Sequence, residues 1–266
     1  MAELSRSIPF DRVAQDYDRT RGGPERGEEV VAAFAPLLPA DGLLLEVGVG
    51  TGLVAAALAR RGHAVAGVDL SLPMLRHAAD RMPGRVVVGD ALRLPVGSGS
   101  VAATVMIHVL HVVGDMTGAL AEAGRVVRPG GRVVVSAGPD GPPPTFDVAK
   151  IMDVLYDRIG VPDRRPDREA AVTEAAQRAG LCLAERTSYR PSHLALSPAE
   201  AIERIATRSW SWFWRVDEQA WPEASGVAIE ALRRLPDQDR LRMHSAEVPL
   251  LAFGHRLDAG AQTAAC

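Results

Sequence analysis

Lysine is almost missing from this chain: Lys150 is the only one, and arginine carries the rest of the basic charge. With 30 basic and 33 acidic residues the formal net charge is −3. No basic field is available to track a phosphate backbone or an anionic bilayer, which argues against nucleic-acid and membrane partners. Cysteine is scarce too. Cys182 and Cys266 stand far apart and match no zinc or dithiol spacing, so no metal site is expected and a reducing cytoplasm is the default. No apolar run is long enough to span a bilayer, and the first residues are polar where a secretory signal would be apolar. Aromatic residues make up only 5% of the chain, yet Trp210, Trp212, Phe213 and Trp214 fall within five positions.

The most informative stretch is Leu43-Leu44-Leu45-Glu46-Val47-Gly48-Val49-Gly50-Thr51-Gly52. An apolar run ends in an acid, then glycine recurs at alternate positions. This reads as a buried strand entering a tight turn and a helix over Leu53–Arg60, with glycine where a ligand must approach backbone. A dinucleotide fingerprint would require glycine at position 53, where Leu53 stands. Glu46 would repel a pyrophosphate and suits a cationic ligand.

From Leu43 to Ser136 short apolar runs alternate with helical patterns, the signature of a parallel sheet with crossover helices. Strands are expected at Leu43–Val47, Ala64–Asp69, Val86–Gly89, Ala103–Ile107 and Gly131–Ala137. Pro129-Gly130-Gly131 reads as a turn before the last of these. Beyond Ala137 the character changes: helices are expected over Thr145–Ile159, up to Ala179, after Ser197 (a capping box with Glu200) and over Pro222–Leu235. Leu181–Tyr189 and Val248–Arg256 complete the strands.

Three further motifs follow the glycine loop. Asp69 ends the second strand, where a carboxylate can accept from both ribose hydroxyls; Ser71 is available to cap the next helix in its place. Asp90 stands at the mouth of the third strand, with the Ala91 N–H beside it. Arg125 to Val135 marks a helix, turn and strand. Upstream, Phe10-Asp11-Arg12-Val13-Ala14 precedes Asp16-Tyr17-Asp18 and Arg21.

In this order the motifs resemble those of the class I S-adenosylmethionine-dependent methyltransferases, and the lead-in resembles that of the type 11 family. The resemblance covers residues 10–137. It implies an α/β fold: a Rossmann-like, doubly wound, seven-stranded and mostly parallel sheet with a reversed last strand, plus helical lid insertions. Residues 1–40 would form a helical lead-in, and 41–266 the methyltransferase domain with insertions near 141–165 and 190–245. S-adenosylmethionine would be the cofactor, held by Tyr17, Arg21, Glu46, Gly48, Val49, Gly50, Gly52, Asp69, Leu70, Met74, Asp90, Ala91 and Ile107.

Ile107-His108-Val109-Leu110-His111 would then line the reaction centre, and His108 or His111 could deprotonate an acceptor near neutral pH. A packing or cofactor-orienting role is the competing reading for His111. Trp210, Trp212 and Trp214 would share one face of an extended segment and could roof an apolar or aromatic acceptor, or glue inserted helices to the sheet. The expected function is methyl transfer to a small molecule by a monomer or homodimer. A cofactor-binding protein that transfers no methyl, such as a cyclase, is the alternative. A nicotinamide oxidoreductase is disfavoured by Leu53 and Glu46.

Overall fold

The computed structural model describes residues 9–12, 14–15, 17–20, 22–138, 146–160, 166–191, 195–210, 213, 216–242 and 247–256. Its centre is a seven-stranded sheet built from β1 (Leu43–Val47), β2 (Ala64–Asp69), β3 (Val86–Val88), β4 (Val101–Met106), β5 (Val127–Ser136), β6 (Leu181–Tyr189) and β7 (Val248–His255). The order across the sheet is β3-β2-β1-β4-β5-β7-β6. The β3-β2-β1-β4-β5 ladder is parallel, and β7 runs antiparallel to both of its neighbours. β6 therefore points the same way as β5, and Tyr189 at its end reaches the same sheet edge as the ends of β1, β2 and β4.

The helices are α1 (Tyr17–Thr20), α2 (Gly23–Phe34), α3 (Leu53–Arg60), α4 (Leu72–Arg81), α5 (Met116–Val126), α6 (Asp147–Arg158), α7 (Glu169–Arg178), α8 (Pro198–Ala206) and α9 (Trp221–Arg233). Side-chain alternation on the strands divides the core in two. Leu44, Val105 and Val134 face α2, α3 and α4, where Val30, Phe34, Leu58 and Leu75 are buried. Leu45, Met106 and Val135 face α5 and α7, where Leu120, Ala123, Val172 and Ala176 close the other side. All six residues of β4 are buried, as a central parallel strand covered on both faces requires.

A third apolar cluster stands apart from these two. α6, α8 and α9 pack on one another through Val148, Met152, Leu155, Ile205, Phe213, Trp221 and Leu232. Ser197 caps α8 with both halves of the capping box formed: its Oγ accepts from Glu200 N, and Glu200 Oε2 accepts from Ser197 N. Arg242 bonds Asp147 at the start of α6, and its backbone pairs with Leu196 ahead of α8, so the cap is laced by polar contacts as well.

The Pro129-Gly130-Gly131 turn is not a break before β5. Pairing with β4 begins at Val127, opposite Val101, and resumes at Arg132 opposite Ala103, so the turn loops out inside a continuing strand.

Candidate functional site

The order β2-β1-β4 places a topological switch point between β1 and β4, because the chain winds outward in opposite directions from there. A crevice at the strand ends is the expected result. Gly48, Gly50 and Gly52 all hold left-handed φ, at 73°, 55° and 84°. Their reasons differ. A Cβ at Gly48 would lie 2.4 Å from Val109 Cγ2, so that glycine serves the fold. A Cβ at Gly50 would meet nothing within 4 Å, so that glycine faces open space beside the loop. Val49, by contrast, is buried in the core beneath the loop.

Asp69 closes the far side of this space. Its Oδ2 accepts from Gly50 N at 2.7 Å and its Oδ1 from Ser71 N at 2.8 Å. Ser71, not Asp69, caps α4, its Oγ accepting from Met74 N at 3.3 Å. Burial pushes the Asp69 carboxyl above its ordinary range and the nearby Asp11 charge adds to this, against the backbone N–H groups that stabilise the anion. Glu46 is 3% exposed, and burial pushes its carboxyl well above the usual range, with the Asp69 charge pushing the same way. The Ala55 backbone N–H in the first turn of α3 and the Arg26 charge pull the other way. Among the described residues Oε2 of Glu46 has no hydrogen-bond partner. A buried acceptor left without a donor is costly, commonly about 1–3 kcal/mol.

The other expected cofactor residues are spread around this centre. Leu70 is exposed, Met74 is a buried residue of α4, and Ile107 is buried at the end of β4. Asp90 is exposed and accepts from Leu92 N at 2.9 Å, closing a turn that carries Ala91. Tyr17 opens α1, its ring centroid 6.4 Å from that of Phe10. Arg21 lies outside the described residues.

The lead-in is pinned onto the glycine loop by contacts that sequence reasoning did not find. Asp11 accepts from Ser71 Oγ at 2.6 Å. Asp18 accepts from Thr51 Oγ1 at 2.5 Å and from Arg81, which also donates to the Thr51 carbonyl. Arg19 reaches Glu203 on α8 at 2.6 Å, joining the lead-in to the cap. These residues are far apart in sequence, and only the folded chain reveals their pairing.

The two histidines stand at the end of β4 in different surroundings. His108 holds φ at 56°, an uncommon state for a non-glycine residue. Its backbone N donates to Ser136 Oγ at 2.7 Å, and its Nε2 lies 3.1 Å from the phenol oxygen of Tyr189. His111 Nδ1 is 3.7 Å from Oδ2 of Asp167, which is 7% exposed. Tyr189 and Asp167 were both missed from sequence: neither sits in a motif, and each meets its histidine only through the sheet edge. Trp210 is buried in the cap core, its ring 5.4 Å from Phe213 and under Arg204. Trp212 and Trp214 lie outside the described residues. A groove lined by Pro24, Leu53, Ala56, Arg60 and Arg81 opens elsewhere, between α2, α3 and the end of α4.

Residues 45–135 match the family model of the methyltransferase domain. Over those residues the chain carries a methyltransferase domain of the class I, S-adenosylmethionine-dependent kind. It is 38% identical over 136 residues to a demethylmenaquinone methyltransferase of Tropheryma whipplei, spanning 47% of this chain and 56% of that one. It is 34% identical over 163 residues to a ubiquinone/menaquinone biosynthesis C-methyltransferase of Desulfotalea psychrophila, spanning 58% of this chain and 65% of that one. The chain thus spans less than two thirds of the length of these relatives. Among solved structures, a methyltransferase of Thermotoga maritima shares the fold at a TM-score of 0.55 and 20% identity, over 92% of this chain and 97% of the other. A [4+2]-cyclase shares it at 0.57 and 18%, over 92% and 94%.

The residues present fit S-adenosylmethionine. The open floor at Gly50 admits a ligand against backbone, the Asp69 carboxylate can accept from ribose hydroxyls, and Oε2 of Glu46, which has no donor among the described residues, could accept from a cationic amino group.

Proposed function

We propose that this protein transfers a methyl group from S-adenosylmethionine to a small acceptor of apolar or aromatic character. The observation that carries the reading is the pairing of an unfilled space at Gly50 with a carboxylate anchored to that same residue's N–H. Quinone-precursor methyltransferases among the relatives make an oxygen-bearing aromatic ring the first acceptor class to test. A net charge of −3 supports a small molecule over nucleic acid. The same reading takes the chain as a cytoplasmic monomer or homodimer.

When bound, S-adenosylmethionine supplies a methyl on a positively charged sulfur, and its transfer to an acceptor atom leaves a neutral thioether. The protein's work is then to orient, desolvate and move a proton. Glu46, Gly50 and Asp69 would hold the cofactor, with Asp90 and the Ala91 N–H on the side of its base, and Leu70 and Ile107 would contribute apolar walls. The cap of α6, α8 and α9 roofs the acceptor and excludes water, and the Arg19–Glu203 pair ties it to the lead-in. Alignment of acceptor and methyl can supply up to about 7–11 kcal/mol of the barrier. His111 takes the acceptor's proton, and the Asp167 carboxylate beside it steadies the imidazolium that forms.

A second reading rests on the fold shared with a [4+2]-cyclase: the cofactor is bound but its methyl stays in place. Incubating the protein with S-adenosylmethionine and a short-chain naphthohydroquinone decides between the two. A product heavier by one methylene, formed with stoichiometric S-adenosylhomocysteine, is expected. Cofactor binding with no mass shift across an oxygenated-aromatic panel would favour the second.

A further inference from the structure

His108 combines three features that a packed histidine does not need. Its backbone is in the left-handed region, a conformation strained for an L-residue. It is held there by the Ser136 hydroxyl, from the end of the next strand. Its Nε2 is met by a phenol 81 residues away, carried on the far edge of the sheet. Strain of this kind persists where the surroundings impose it, and it gathers at functional sites.

The direction of the Nε2–Tyr189 bond follows from satisfaction. Tyr189 is 9% exposed, and burial raises its phenol to about 12, so its oxygen keeps the proton at all working pH values. Among the described residues, His108 Nε2 is the hydrogen-bond partner of that phenol. Were Nε2 to carry a proton and donate, the buried phenol hydrogen would lose the acceptor it has among the described residues, an unfavourable loss for a buried donor. With the phenol donating, Nε2 is an acceptor, and the proton of the neutral ring sits on Nδ1.

Resting on the methyl-transfer reading, we infer that Tyr189 is a positioning residue that locks His108 as its Nδ1–H tautomer, making it a hydrogen-bond donor and not the general base. This separates two histidines that the sequence left equivalent. A ring with a fixed N–H suits an acceptor that presents an oxygen, such as a phenol or an enolisable carbonyl, while His111 beside Asp167 keeps the proton-accepting role.

Long-range proton–nitrogen correlation NMR on protein with isotope-labelled histidine reads the tautomer directly, the His108 signal being assigned by its loss in His108→Gln. The expected result is a protonated Nδ1 in the wild type, with and without S-adenosylhomocysteine. Tyr189→Phe should shift the population toward Nε2–H, with S-adenosylhomocysteine affinity within about twofold of wild type. A wild type in the Nε2–H form, or an unchanged tautomer in a folded Tyr189→Phe, would overturn the inference. If the variant does not fold, the wild-type spectrum alone decides. Absence of S-adenosylhomocysteine binding alongside an Nδ1–H signal would instead defeat the cofactor reading and leave this assignment standing.

Discussion

The glycine loop and the cap are built on opposite principles. At the loop, the fold tolerates costs: three left-handed glycines, a buried acid with an oxygen unpartnered among the described residues, and a carboxylate pushed up by burial. The cap is held by apolar burial and ring packing. Phe213 is fully buried, its ring 4.7 Å from Trp221 and 5.4 Å from Trp210. The loop spends stability on a space for a ligand; the cap spends apolar residues on holding itself together. Mutations in the two regions should therefore separate binding from stability.

The largest effect is expected in the cap. Phe213→Ala should destabilise by about 3–5 kcal/mol, as large-to-small core changes do. Denaturant unfolding should register that loss, while S-adenosylhomocysteine affinity of the folded fraction stays within about twofold. A matched loss of affinity would mean the two regions are not separable.

Within the loop, two neighbouring glycines should behave differently. Gly48→Ala places its Cβ against Val109, so a stability loss of about 2–3 kcal/mol is expected from overpacking and the left-handed backbone together. Gly50→Ala meets only open space and should cost about 1–2 kcal/mol in stability. Its cofactor affinity should nonetheless fall tenfold or more in a calorimetric titration. Equal profiles for the two would contradict the assignment of Gly50 to the ligand.

Glu46→Gln sharpens the comparison through pH. Because the folded-state pKa of Glu46 is raised, its contribution to stability is full below the unfolded carboxylate pKa of about 4.3 and declines as pH rises through the folded value. Removing the charge should leave the free protein more stable than wild type near neutral pH, by roughly 1–3 kcal/mol, the usual range for an uncompensated buried polar group. Thermal melts from acid to neutral pH should show the advantage growing, together with weaker cofactor binding. An advantage that is constant with pH would refute the burial argument.

The smallest effect is expected at the seam. Arg19 and Glu203 are both exposed, so Glu203→Ala should change stability by less than about 1 kcal/mol in the same unfolding assay.

The same contrast governs what could be read in advance. The loop was legible because left-handed backbone demands glycine at set positions, and the acids at 46 and 69 follow from strand ends. Ser197 with Glu200 announced α8 by the same kind of local rule, and Leu181–Tyr189, read as a strand, is β6. The cap was visible only as apolar helices whose mutual packing no motif encodes. The Tyr189–His108 and Asp167–His111 contacts were hidden for a stronger reason. Each depends on β6 and the α7 lead-in returning to the sheet edge after long connections, which local spacing does not record. Pro129-Gly130-Gly131 was read correctly as a turn and wrongly as a boundary, since β-pairing continues on both sides of it.

The most direct test of the central claim is calorimetric titration of wild type and Asp69→Ala with S-adenosylmethionine and S-adenosylhomocysteine, with NADH as the control ligand. The account predicts binding of both sulfur ligands, no response to NADH, and a loss of at least about 3 kcal/mol in Asp69→Ala, from two hydrogen bonds to a charged group at about 1.5 kcal/mol or more each. Folded wild-type protein that binds neither sulfur ligand, or an Asp69→Ala variant that binds as well as wild type, would contradict it.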